Sequence, residues 1–278
     1  MADFRSRVEM ARRSKASVVC LGLDPRYEQL PQRFGQLPPP QALLAFNRML
    51  IDLLAPVVAV VKPQAAFYEL YGPDGVAALQ ETVAYAREKG LLVILDAKRG
   101  DIGSTAAAYA EAYLDPAGPF DADALTINGY LGSDGVQPFL DVAARHGKGV
   151  FVLVKTSNPS STEVQDLVAN GAPVYEQMAG LVDRWDCEAV VGGTFPAEAA
   201  RARELMPRAL ILVPGYGAQG ATADDVRPSF RADGSGAVVN NSRGLMYAPD
   251  PLAATVEMRD AINKALAPSE LGTSASLS

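Results

Sequence analysis

Eight short apolar segments, each typical of a buried β-strand, recur along this chain of 278 residues and alternate with helical segments. They begin near residues 18, 57, 91, 124, 149, 188, 210 and 237. Runs of consecutive apolar residues indicate strands that are buried on both faces, as in a parallel sheet. The pattern predicts a (β/α)8 TIM barrel, for which a length of ~250 residues is typical. A doubly wound open sheet is the alternative, although no GxGxxG motif follows the first strand, which weakens its dinucleotide-binding form.

We expect one domain over residues 1–266, followed by a flexible tail over residues 267–278, which is rich in small and polar residues. Residues 3–14 are predicted to form a short amphipathic helix with Phe4 and Val8 on one side. We expect this helix to cover the closed end of the barrel.

Composition excludes several classes of function. The net charge of −7 and the isoelectric point near 4.9 argue against a nucleic-acid-binding surface. No apolar run is long enough to span a membrane, and charged residues occupy the N-terminal stretch where a signal peptide would be apolar, so we expect a cytoplasmic protein. With only His146 and two distant cysteines, Cys20 and Cys187, a zinc site is not expected, and both thiols should be reduced and buried.

The third strand ends in opposed charges. After the apolar run that starts at residue 91 come Asp96, Lys98 and Asp101, and then a helical segment. Residues two apart on a strand face the same way, so Asp96 and Lys98 should share a face. A solvated charged loop is the alternative interpretation of this segment.

The carboxyl ends of barrel strands converge on one mouth, so the residues that end the strands belong together. Besides the third strand, these residues are Asp24, Lys62, Asn128, Ser157, Asn158, Pro214, Asn241, Ser242 and Arg243. Lys62, Asp96, Lys98 and Asp101 form a candidate array in which alternating charges keep one another ionised.

Two loops indicate an anion site. The segment after the seventh strand contains Gly215, Gly217 and Gly220, and Arg243 follows the eighth strand. In barrels these two loops frequently bind phosphate, and an arginine can bind it in a bidentate manner. Glycines that serve only turns and an arginine that is only a surface charge are the alternatives.

Over roughly residues 18 to 248 the chain resembles the orotidine 5′-phosphate decarboxylase family. The resemblance rests on Asp24, Lys62, the DAKRGDIGST segment at residues 96–105, the PGYGAQG segment at residues 214–220, and Arg243. The proline-rich loop near residues 31–40 and the NNSR sequence at residues 240–243 are similar to the longer bacterial subgroup, type 2.

The resemblance implies the cofactor-independent decarboxylation of orotidine 5′-monophosphate (OMP) to uridine 5′-monophosphate (UMP), the last step of pyrimidine nucleotide synthesis. It also implies a homodimer whose active sites are shared between subunits. Asp96 would lie against the substrate carboxylate, and Lys98 would stabilise the carbanion at C6 and then protonate it. Lys62 and Asp24 would contact the ribose.

The remaining roles follow from the same resemblance. The partner subunit would supply Asp101, Ile102 and Thr105. Ser157 would contact the pyrimidine. The residues at the phosphate end would be Pro214, Gln219, Arg243 and the backbone near Gly217.

Two departures from the family pattern affect these expectations. Ser242 stands where the short form of the family has glycine, and a long connection follows Ser157. A sugar-phosphate lyase that uses Mg²⁺ on the same barrel is the closest alternative, and Lys62 in the mouth argues against it. A non-catalytic barrel that binds phosphoribosyl ligands is a second alternative.

Overall fold

The computed structural model describes residues 3–267, and in it eight parallel strands close into a barrel in the order β1-β10-β9-β8-β5-β4-β3-β2. The barrel strands are β1 Val19–Leu23, β2 Val60–Pro63, β3 Leu92–Arg99, β4 Ala124–Ile127, β5 Gly149–Lys155, β8 Glu188–Val191, β9 Ile211–Val213 and β10 Ala237–Asn241. A short antiparallel hairpin, β6 Val168–Ala169 with β7 Ala172–Pro173, lies outside the barrel. The predicted (β/α)8 barrel is confirmed, and the open sheet is not formed.

Helices follow the strands and surround the barrel. They are α1 Phe4–Lys15, α2 Pro39–Leu54, α3 Ala66–Glu69, α4 Gly72–Glu88, α5 Gly103–Leu114, α6 Ser133–His146, α7 Val174–Trp185, α8 Pro196–Leu205, α9 Ala223–Val226, α10 Arg243–Met246 and α11 Pro251–Leu266. The sequence pattern does not predict helix α8. Its buried residues are Ala199, Ala202 and Arg203, so it lacks the stripe of large apolar side chains that indicates a helix.

Helix α1 covers the amino-terminal end of the barrel, as predicted. Phe4 and Val8 pack into the barrel interior, where the Phe4 ring meets Phe151 edge to face with 5.9 Å between centroids. Gly149 at the start of β5 makes room for this ring, because a Cβ there would lie 2.5 Å from Phe4. The barrel is therefore open only at the other end, where the strands terminate.

The two thiols behave as predicted. Cys20 and Cys187 are buried and free, and burial raises the pKa of each to about 12. Within residues 3–267, no helix combines the length and the apolarity needed to cross a membrane. Of the predicted tail, all but Ala267 lies outside the described residues.

Candidate active site

A cavity of about 740 Å³ opens at the carboxyl ends of the strands. It collects eight of the predicted site residues: Asp24, Lys62, Asp96, Lys98, Ser157, Pro214, Gln219 and Arg243. These residues end or follow six of the eight barrel strands, so the fold brings together residues up to 219 positions apart in the sequence, from Asp24 to Arg243.

Four of these side chains form a line of alternating charge. The Nζ atom of Lys62 lies 3.6 Å from Oδ1 of Asp24 and 3.1 Å from Oδ2 of Asp96. The Nζ atom of Lys98 lies 2.6 Å from Oδ1 of Asp96. The order is thus acid, base, acid, base, with Asp96 shared between the two lysines.

The side chains in this line of charges differ in their exposure to solvent. The side chains of Lys62 and Asp96 are 5% and 9% exposed, whereas that of Lys98 is 44% exposed. Burial favours the neutral forms, but the opposite charges outweigh it. Lys62 and Lys98 hold the pKa of Asp96 well below its usual range, and Asp24 and Asp96 raise the pKa of Lys62. Asp96 and Lys62 therefore remain charged at neutral pH, and Lys98 presents its ammonium to the cavity.

The end of β3 departs from a regular strand. The pairing with β4 shifts between Leu95 and Arg99, and Lys98 has the left-handed φ of 48°. Thr126 on β4 stabilises this bulge, because its hydroxyl oxygen accepts the N–H groups of Ala97 and Lys98 at 3.1 and 3.0 Å. A bulge of this kind re-aims side chains at a strand end.

Two residues of the site were missed by sequence reasoning. The hydroxyl of Thr126 donates to Oδ1 of Asp96 at 2.8 Å, and Nε2 of Gln64 donates to Oδ2 at 3.0 Å. Thr126 is a polar residue inside an apolar strand, and Gln64 lies two positions after Lys62, so both carried a usable signal. Asp96 consequently has a partner on every side, which fixes its orientation.

The loops after β9 and β10, which the sequence suggests as an anion site, form one end of the cavity. Gly215, Gly217 and Gly220 all have positive φ, which requires glycine for an unstrained turn. Gly217 does not line the cavity, and its N–H donates to the carbonyl of Ala221 at 2.9 Å. Arg243 is exposed and lines the cavity together with Gln219.

The side chain of Ser242 packs against a glycine of the first strand. Gly22 on β1 lies against this residue, since a Cβ on Gly22 would be 1.9 Å from the Ser242 hydroxyl oxygen. That oxygen also accepts a hydrogen bond from Nδ2 of Asn240 at 3.4 Å. The Ser242 side chain therefore fills the space that the missing side chain of Gly22 leaves at the rim.

Asp101, Ile102, Thr105 and Asn128, which the sequence suggested, also lie outside this cavity. Asp101 accepts the N–H of Ile102 at 2.8 Å, Ile102 is 54% exposed, and Thr105 is exposed. The interpretation of Asn128 as a mouth residue is wrong, because its side chain caps a short turn by accepting the N–H of Tyr130 at 3.0 Å. Asp101 does not join the line of charges within one chain.

His146 lies at the carboxyl end of a helix. It ends α6 and lies 3.4 Å from Asp115, and Gly147 follows it in the left-handed conformation. In residues 3–267, no three or more His, Cys, Asp or Glu side chains are grouped so that they could hold a metal ion.

Known proteins that are similar to this chain belong to the family that its sequence motifs suggest. Residues 17–258 match the model of the orotidine 5′-phosphate decarboxylase / HUMPS family. The orotidine 5′-phosphate decarboxylase of Rhodopirellula baltica is 44% identical over 270 residues, which cover 89% of each chain.

Solved structures agree. A putative orotidine 5′-phosphate decarboxylase from Streptomyces avermitilis has a TM-score of 0.85 and 37% identity over 96% of each chain. Leishmania donovani UMP synthase has a TM-score of 0.85 and 37% identity over 96% of this chain, which spans 57% of that protein. On the family match and on these identities, the chain belongs to the orotidine 5′-phosphate decarboxylase / HUMPS family.

Proposed function

We propose that this protein decarboxylates OMP to UMP and CO2 without a cofactor, as the last step of UMP synthesis. The observation that carries the proposal is the line from Asp24 through Lys62 and Asp96 to Lys98 at the barrel mouth. Such a line offers one accessible ammonium held in place by fixed charges. The names of the relatives support the same activity.

The reaction breaks the bond between C6 of the pyrimidine and its carboxylate carbon. Carbon dioxide leaves, and the electron pair of that bond remains on C6 as a localised carbanion. The ammonium of Lys98 stabilises this charge by proximity, and then transfers a proton to C6 to give UMP. Preorganised opposite charge is usually the largest single contribution to the stabilisation of a charge that develops in a reaction.

The carboxylate of Asp96 affects this reaction in two ways. Its carboxylate fixes Lys98 at 2.6 Å, which removes the need to order a flexible lysine during the reaction. It also places a negative charge beside the substrate carboxylate, and that charge is held by Lys62, Gln64 and Thr126. We propose Asp96 as a catalytic residue through both effects.

Other residues that line the cavity are proposed to bind the ribose, the pyrimidine and the phosphate of OMP. Asp24 and Lys62 are proposed to contact the ribose, and Ser157 the pyrimidine. The phosphate is assigned to Arg243, Gln219, Pro214 and the loop around Gly217. Arg243 supports this assignment because it is exposed and lines the cavity. Binding energy gained at the phosphate can then be used to order the reacting end.

We propose a homodimer in which Asp101, Ile102 and Thr105 enter the active site of the partner. Asp101 and Ile102 directly precede α5, Thr105 lies in its first turn, and all three are outside the cavity of their own chain. Ile102 is a large apolar side chain that is 54% exposed, which an interface would cover. We further propose a cytoplasmic location, since nucleotide synthesis supplies its product there.

The line of charges argues against the sugar-phosphate lyase alternative. In such an enzyme acidic side chains would bind Mg²⁺, whereas here the Lys62 ammonium lies between Asp24 and Asp96. The two carboxylates already have a cation as partner. Cofactor-free decarboxylation requires no metal ion between these two carboxylates.

The test is a spectrophotometric assay of purified protein with OMP in the presence of EDTA. We expect the orotidylate absorbance to decay at the same rate with and without EDTA. Turnover that EDTA abolishes and Mg²⁺ restores would support the lyase-type site. Binding of UMP without any change in the orotidylate spectrum would support a non-catalytic barrel.

A further inference from the structure

The segment at residues 159–173, called the wall segment here, follows β5 and forms one side of the cavity beside Ser157. It begins with a 3-10 turn and contains the β6–β7 hairpin. Four of its residues line the cavity: Ser160, Ser161, Val164 and Gln165. Polar and apolar groups therefore face the cavity from an element that is not part of the barrel.

Apolar burial contributes little to the attachment of the wall segment. Its large apolar side chains Val164, Leu167 and Val168 are 57%, 56% and 71% exposed. Hydrophobic stabilisation scales with the apolar area that is removed from water, so these residues do not anchor the segment to its own barrel. Its position must depend on polar contacts.

The strongest of these contacts is an ion pair at the end of β5. The side chain of Lys155 is 0% exposed, and its Nζ atom lies 2.6 Å from Oδ1 of Asp166. The same ammonium lies 4.6 Å from the centroid of the Phe195 ring. An ammonium that is fully buried is stable only when it is paired, so Lys155 holds Asp166 at one place.

A second contact lies directly beside the first. The side-chain oxygen of Gln165 accepts the N–H of Thr156 at 2.9 Å, and its Nε2 donates to the Thr156 hydroxyl at 2.8 Å. Lys155 is thus paired with Asp166, and Thr156 with Gln165, so the end of β5 and this part of the wall segment run antiparallel. Ser157, which we assign to the pyrimidine, is the next residue along the chain.

Ser157 is also held from the side of β8. The hydroxyl of Thr194 donates to its carbonyl at 3.3 Å, and the N–H of Gly192 donates to the carbonyl of Lys155 at 2.7 Å. A Cβ on Gly192 would lie 2.8 Å from the Cα of Ser157, so only glycine permits this approach. Ser157 therefore lies between two fixed elements.

We propose that the Lys155–Asp166 ion pair positions the part of the cavity that binds the pyrimidine, and that it has no role at the phosphate end. Lys155 and Asp166 are positioning residues, because they act through the wall segment and Ser157. This inference rests on the proposed function, which assigns Ser157 to the pyrimidine.

The test compares two ligands in the full-length protein carrying Lys155→Met. UMP reaches both ends of the cavity, whereas ribose 5-phosphate lacks the base. We expect the Kd of UMP to rise about tenfold, which corresponds to ~1.4 kcal/mol, and the Kd of ribose 5-phosphate to change less than about twofold. A general loss of structure would weaken both ligands alike.

Lys148→Met is the matched control. Lys148 directly precedes β5, its side chain is 5% exposed, and its Nζ atom lies 2.6 Å from Oδ1 of Asp121. The two lysines therefore form similar buried ion pairs at opposite ends of one strand. We expect Lys148→Met to lower stability without changing the ratio of the two dissociation constants.

The double variant Lys155→Met/Asp166→Leu removes both charges and leaves no unpaired ion, so it provides the same comparison if Lys155→Met does not fold. An unchanged ratio in these variants, or the same change in Lys148→Met, would overturn the proposed positioning role. Wild-type protein that neither binds UMP nor consumes OMP would instead contradict the proposed function, so the two failures are distinguishable.

Discussion

The Nζ atom of Lys98 lies 2.6 Å from Oδ1 of Asp96, although the two residues are only two positions apart on one strand and Lys98 has the left-handed φ of 48°. In a regular strand such residues would point the same way with their Cα atoms roughly 7 Å apart. The bulge at the end of β3 bends Lys98 back over Asp96, and the hydroxyl of Thr126 on β4 stabilises that bend.

Thr126→Val should therefore lower kcat while the protein stays folded. Valine has the shape of threonine but cannot donate to Asp96 or accept from the backbone of Lys98. Loss of a hydrogen bond to a charged group costs about 1.5–3 kcal/mol, which corresponds to a roughly 10- to 100-fold lower kcat. Steady-state kinetics on OMP measure the effect.

Thr126→Ser is the control for this prediction, because serine keeps the hydroxyl and loses only a methyl group. Turnover of the serine variant should stay within a few-fold of wild type. If the serine variant is as slow as the valine variant, packing rather than the hydroxyl determines the rate.

Arg243→Ala should mainly raise KM, because its guanidinium is assigned to the phosphate, away from C6. Loss of a charge-assisted contact of about 1.5–3 kcal/mol predicts a roughly 10- to 100-fold rise in KM. Inhibition by UMP should weaken by a similar factor, whereas inhibition by uridine, which has no phosphate, should not change. Arg259→Ala, on α11 beside Asp260, is a control for the loss of a charge. An unchanged KM in Arg243→Ala would count against the phosphate site.

The proposed sharing of active sites predicts complementation between two inactive variants. Lys98→Ala and Asp101→Ala should each be nearly inactive as homodimers. In a mixed dimer one of the two active sites contains neither substitution, so activity should return toward about half of the wild-type level per heterodimer. Mass spectrometry of differently tagged subunits measures the exchange. Complete exchange without recovered activity would show that each site is built from one chain.

Much of this site could be predicted from the sequence, because its charged side chains lie at or directly after the ends of apolar strands. Lys62 and Asp96 follow runs of apolar residues, and a barrel brings such positions together. Thr126 could have been found by alternation on β4, since it faces the same side as Ala124. The bulge at Lys98 could not, because it depends on the pairing of two strands.

Other features needed the assembled fold. The serine at position 242 is understood only from its contact with Gly22, which lies 220 positions away in the sequence. The helix α8 was missed because alanine and a buried arginine form its inner face. Asp101 illustrates a different limit, since the role proposed for it lies in a neighbouring subunit and its contact with Ile102 within its own chain does not reveal that role.

The free energy of unfolding should depend on pH through the buried carboxyl group of Glu188. Burial at the closed end of the barrel raises its pKa to about 7, and Arg5 and the N–H of Leu210 only partly oppose this effect. A raised pKa means that the folded state binds the proton more tightly than the unfolded state. The stabilisation is complete below pH ~4.5 and is lost as the pH rises through about 7.

Urea denaturation of wild type and Glu188→Gln between pH 4.5 and 8 measures this contribution. Glutamine does not titrate, so the free energy of unfolding of wild type should fall relative to the variant by up to about 3 kcal/mol over this range. Parallel pH dependences of the two proteins would contradict the prediction.

We propose that Lys98 provides both the charge that stabilises the carbanion and the proton that replaces CO2. The most direct measurement is the decay of orotidylate absorbance with Lys98→Ala in the presence of EDTA, together with the Kd of UMP for the same variant. We expect turnover to fall by at least about 10³-fold, as when an essential catalytic group is removed, while UMP binding stays within about tenfold of wild type. Turnover close to that of wild type in Lys98→Ala would contradict this role of Lys98.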